Sequence, residues 1–138
     1  MEVRMETTAG LGKAAEVWLN GNLLTVCDNL STAGQRCPPG LLDRVEFTYV
    51  CNEARDWPQA IADNPAHRRI LHSVKGWAYE GFGRVVSLMP TVIDFGLLKM
   101  EDPNWTSDES LLGAYVRIPI DRLELRNARE PDWPTNAR

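Results

Sequence analysis

The sequence predicts a mainly β domain with a short helical insertion. Its strands pair antiparallel, and their order suggests an OB-like barrel of five or six strands. Three observations carry this. An Asn-Gly step joins two apolar runs, as tight hairpin turns require. Apolar residues recur with period two in 44–51 and again in 114–120, the mark of half-buried strands. Strands do not alternate with long helices, so a parallel α/β sheet is disfavoured.

Residues 1–13 combine Thr, Gly and short side chains without periodicity and read as a flexible arm ahead of one β-rich domain over 14–126. Two strands then flank Asn20-Gly21-Asn22, where the Asn-Gly step supplies positive φ. Gly34, Pro38, Pro39 and Gly40 break both regular periods, so 29–43 reads as a long surface connection. In 44–51, Val45, Phe47, Tyr49 and Cys51 alternate with Glu46, Thr48 and Val50, giving a third strand.

Asp56-Trp57-Pro58 places a capping side chain and a proline where a helix begins, and Asn64-Pro65 repeats the device. One broken helix or two short ones follow. They turn Ile61, Ile70, Leu71 and Val74 inward, leave Arg68 and Arg69 to solvent, and stop at Gly76. The β pattern returns in 77–82, 84–89 and 91–100. Residues 101–111, with Asp102-Pro103-Asn104 and Trp105, form an exposed excursion. In the last strand Val116, Ile118 and Ile120 share one face and Tyr115 and Arg117 the other, with Leu123 and Leu125 continuing it. Residues 127–138 read as a polar tail.

A chain of 138 residues falls within the range of one domain. Such a chain buries roughly two thirds of its unfolded surface without staples or metals. Val17, Leu19, Leu24, Val26, Phe47, Val85, Val116 and Ile118 are expected to share one core. The net charge is −4, which as a whole repels a phosphate backbone. Twelve of the fifteen basic residues are nevertheless Arg, the side chain suited to bidentate pairing with carboxylate or phosphate. The three cysteines match neither a zinc spacing nor a disulfide framework and read as free thiols. With no signal-like or membrane-length apolar run, the expected setting is the cytoplasm, away from membranes.

No catalytic motif emerges. His67 and His72 are five apart, the wrong spacing for a helical metal pair, and neither metal nor cofactor is called for. Gly76, Gly81 and Gly83 lack a GK[ST] ending and read as bulges or tight bends. Asp94 lies in an apolar strand and needs a partner such as Arg84 or Arg117. Trp77, Tyr79, Phe82 and Trp105, with Arg84, Asp94 and Arg117, are the candidate binding residues, as aromatic and cationic groups able to grip a ring or a protein surface.

The favoured function is a non-catalytic interaction module that binds another protein through a barrel face and its loops. The alternative is an OB-like binder of single-stranded nucleic acid. A small enzyme acting through carboxylates such as Asp94 and Glu80 ranks third.

Overall fold

The computed structural model describes residues 1–129. In chain order they form β1 (Val3–Thr8), β2 (Ala14–Leu19), β3 (Asn22–Asn29), β4 (Gly40–Leu42) and β5 (Val45–Val50), then the helix α1 (Trp57–Ala62). There follow β6 (Ile70–Lys75), β7 (Ala78–Leu88), β8 (Thr91–Asp94), β9 (Lys99–Glu101), a 3-10 turn at Glu109–Leu111, β10 (Tyr115–Ile120) and β11 (Arg122–Asn127). The fold is mainly β, with one short α-helix among the described residues.

The strands make two sheets. The first has the order β4-β1-β2-β3-β11-β5, antiparallel except where β11 runs parallel to β3. The second is built on the eleven-residue β7, which pairs with β10 along one edge and with β6 and then β8 along the other, with β9 beyond β8. Among the described residues these ladders form no closed barrel.

Local chemistry explains the main turns. Asn20 and Gly21 both take positive φ (47° and 86°), the backbone of a type I′ hairpin, and set Val17 opposite Leu24. Asp56 caps α1 by accepting from the Gln59 amide, and Pro58 sits in the first turn, where its missing N–H costs nothing. At Asp121 the chain leaves β10 in the second sheet for β11 in the first.

The inward faces of both sheets share one core. It contains all eight residues expected there from strand periodicity. Tyr49 of the first sheet meets Phe95 edge to face, with ring centroids 5.9 Å apart. A Cβ on Gly81 would lie 2.5 Å from the Phe95 ring, and one on Gly83 would lie 2.6 Å from Ile93. These glycines make room for core side chains inside a continuous strand, where bends were expected, and so 77–82 and 84–89 merge into β7.

Three other expectations change. Residues 3–8 are not an arm: they form β1, whose Val3 and Met5 alternate into the core. Arg4 separates the two, but a bulge between Met5 and Thr7 breaks the period of two before it can be read over a strand's length. The helix expected beyond Asn64 is absent, because residues 70–75 pair with β7 as an edge strand, leaving Ile70 and Val74 exposed. Local pattern cannot separate a short helix from an edge strand when neither is fully buried. Asn127 ends β11, and the Arg129 guanidinium reaches Glu46 at 3.1 Å. The remainder of the expected tail, 130–138, lies outside the described residues. No helix is long and apolar enough to cross a membrane among the described residues.

Candidate functional site

Pairing register places side chains of four strands in rows across the outer face of the second sheet. Arg117, Phe82 and Ile70 form one row, Tyr115, Arg84 and Asp94 the next. Because residues two apart share a face, four of the seven candidates, Phe82, Arg84, Asp94 and Arg117, come together here. The connection from α1 to β6 covers part of the face. Its hub is the buried Asn64, whose amide group donates to Arg68 O and Val116 O (3.1 Å each) while its oxygen accepts from Arg68 N (2.9 Å). The Arg68 guanidinium thereby sits 4.8 Å over the Phe82 ring, and His67 stacks on Tyr115 with centroids 4.4 Å apart.

Most charges on this face are already matched. Arg117 donates to Glu80 at 2.7 Å and to Asp63 at 3.3 Å. That hydrogen bond from Arg117 holds the Glu80 carboxyl below its ordinary range, and the same contact raises Arg117. The partner of Asp94 is Arg69, at 3.1 Å, and neither Arg84 nor Arg117. Arg84 faces Gly113 O (3.4 Å) and the Tyr115 ring. The face is thus aromatic, with opposite charges largely paired across it.

Trp105 stands apart, 54% exposed, on the excursion after β9. Beneath it lies a network that the sequence reading missed. The fully buried Asp102 accepts from Tyr49 Oη (2.6 Å), from Arg55 Nη2 (3.0 Å) and, through its other oxygen, from Asn104 N (2.8 Å). Burial, together with the adjacent Asp102 charge, pushes the Tyr49 phenol well above its ordinary range. Burial works to lower Arg55, but Asp102 and Cys51 outweigh it and the guanidinium is held protonated. The Thr106 amide donates to Thr91 Oγ1 (3.0 Å), so the loop is tied on both sides of the indole. Only the Asp-Pro-Asn turn hinted at Asp102; Tyr49 and Arg55 join it across 53 and 47 residues, a pairing with no local signature.

The other two candidates lie elsewhere. Tyr79 belongs to the core, its hydroxyl bonded to the amide and carbonyl of Thr25 (2.9 Å each) and so tying the second sheet to β3. Trp77 is half-buried at the turn between β6 and β7, on an open cleft beside Lys13 and Lys75. Among the described residues no three His, Cys, Asp or Glu side chains gather closely enough to hold a metal ion. Comparison with protein-family models, curated proteins and solved structures gives no match for this chain.

Proposed function

We propose that this chain is a non-catalytic module that recognises another protein, with Trp105 as the anchor of the contact. The observation that carries the reading is an exposed indole on a loop fixed from below by a buried ion pair. A side chain held ready in this way loses little freedom on binding, and aromatic residues are the usual centres of interface energy. An exposed apolar side chain stands near the loop: Thr106 ties the loop to Thr91, beside the β7–β8 turn that exposes Met89. The reading places the module in the cytoplasm, with the two sheets acting as the walls of an OB-like barrel.

Binding of single-stranded nucleic acid across the outer face of the second sheet is the second reading. The stacking of Arg68 on Phe82 and of Arg84 near Tyr115 favours it; the pairing of Arg117 and Arg69 with carboxylates weighs against it. Carboxylate catalysis is less supported, because Asp94 and Glu80 both neutralise arginines.

Trp105→Ala tests the leading reading. Capture of a protein from native lysate by the wild-type chain, followed by titration of that protein against both forms, should show a loss of ~2 kcal/mol, about 30-fold in affinity. Urea melts should differ by no more than about 0.5 kcal/mol, as for other exposed sites. Undiminished affinity, or a variant several kcal/mol less stable, would remove Trp105 from the interface.

A further inference from the structure

Three loops meet at the end of the molecule where β1 turns into β2. The first, residues 9–13, and the second, the turn centred on Ala33 and Gly34, bound a cleft of about 430 Å³. The first loop and the β6–β7 turn bound a second, more open cleft of about 570 Å³. Lys13 lines both. Arg36 joins it in the first, Lys75 and Trp77 in the second, and no Asp or Glu lines either. A chain of net charge −4 thus places two of its three lysines and an arginine around adjoining clefts. None of the three cations has a carboxylate within ion-pair distance among the described residues.

The bed of the first cleft is built in advance. Asp28, fully buried, accepts from the Thr8 and Ser31 hydroxyls and from the Leu30 and Ser31 amides, which takes up its own charge. Its backbone then ties down the first loop, accepting from Gly12 N (2.7 Å) and donating to Lys13 O (2.9 Å). Ser31 Oγ in turn accepts from Cys37 N (2.8 Å) and closes the second loop. Gly10 and Gly12 take φ of +117° and +74°, backbone that L side chains rarely adopt, so the loop path itself depends on glycine. At the tip of the second loop the Ala33 and Gly34 amides donate to no acceptor among the described residues.

Unpaired cations of one sign in a pre-formed concavity repel one another until an anion enters. An Arg fork and a Lys ammonium suit a phosphate, and a half-buried indole flanked by Lys75 suits a flat ring. We infer that these clefts bind a nucleoside phosphate, with the phosphate between Lys13 and Arg36 and the ring against Trp77. The nucleotide is either free or one unit of a single strand. The site is separate from Trp105 and does not depend on the protein-recognition reading.

Amide NMR of the full chain, titrated in parallel with inorganic phosphate, AMP and a thymidine pentanucleotide, tests the inference. Phosphate should move the Ala33, Gly34 and Arg36 amides. AMP should bind about 10-fold more tightly than phosphate and move the Trp77 indole N–H as well. Lys13→Gln and Arg36→Gln, both at exposed positions, should each weaken AMP by about 10-fold with an unchanged melting temperature. Should either variant melt early, Lys13→Arg, which keeps the charge, must retain AMP binding. Trp105→Ala should leave AMP binding intact, so loss of the protein contact and loss of this site are told apart. AMP tighter than the pentanucleotide identifies a free nucleotide, and the reverse order identifies a strand. Absence of these shifts, AMP no tighter than phosphate, or full binding by both Gln variants would overturn the inference.

Discussion

Asp28 and Asp102 are both carboxylates with no exposed surface, and each holds a loop in place, yet they are stabilised by opposite means. Asp28 relies on neutral donors: two hydroxyls and two amides, three of the four from Leu30 and Ser31 just beyond it. Burial alone would raise its pKa, but the Ser31 and Thr8 hydrogen bonds prevail and hold it below the ordinary value. Asp102 has only one amide and draws in a cation from across the fold. Its partner Arg55 is buried with it, the side chain 6% exposed, and Arg55 Nε finds no acceptor among the described residues. A carboxylate fed by neighbouring donors is a local device, whereas one that imports a charge makes two distant segments depend on each other.

The largest effect should come from cutting that dependence. Asp102→Ala leaves the Arg55 guanidinium buried without a counter-charge and should cost about 3–5 kcal/mol in urea melts. Replacing both partners, Arg55→Met with Asp102→Leu, should recover most of the loss, since apolar groups of similar size carry no desolvation penalty. A double variant as unstable as Asp102→Ala would mean that the Tyr49 and Asn104 contacts, and not the ion pair, hold the loop. Tyr49 also gives this network an alkaline limit. Its folded pKa is raised, so its contribution is complete below the unfolded value near 10 and is lost as pH rises through the folded one.

Asp28→Asn should have a smaller effect, about 1–3 kcal/mol. One oxygen still accepts, and the hydroxyls of Thr8 and Ser31 can turn to accept from the new amide. Here the pH limit is acidic. A depressed folded pKa means that the stabilisation is present above the unfolded value near 3.9 and is lost as pH falls through the folded one. The stability gap between wild type and Asp28→Asn should therefore narrow below about pH 4. A gap that stayed constant down to pH 2 would show that the carboxylate charge contributes nothing.

The same contrast marks what the sequence could disclose. Strands whose apolar residues alternate, such as β5 and β10, and the Asn20-Gly21 hairpin were legible because their physics is local. So was the grouping of Tyr115 and Arg117 on one face. Which face met Phe82 and Asp94 was not legible, because register between β7, β8 and β10 is fixed by the shared core. Gly81 and Gly83 illustrate the limit: the Phe95 ring and the Ile93 side chain that require them lie on β8 and just beyond it. Asp94 was recognised as needing a cation, but the guanidinium that answers it, Arg69, sits in a segment expected to form a helix.

Asp94 extends the comparison to the surface and carries the smallest predicted effect. Its pair with Arg69 spans 3.1 Å, much as Asp102 and Arg55 do, but the Arg69 side chain is 52% exposed. Water therefore screens the attraction and competes for both groups. Asp94 also keeps the Gly96 amide at 2.8 Å when the arginine is removed, so its carboxylate is not orphaned. Arg69→Ala should cost only about 0–1 kcal/mol. Melts in 1 M salt should bring variant and wild type together, because at that ionic strength charges are screened over about 3 Å. A loss above about 2 kcal/mol that persisted in high salt would place Asp94 with the buried acids. The outer face of the second sheet would then be a rigid charged lattice like the Asp102 network, and burial would no longer separate two ion pairs of nearly equal length.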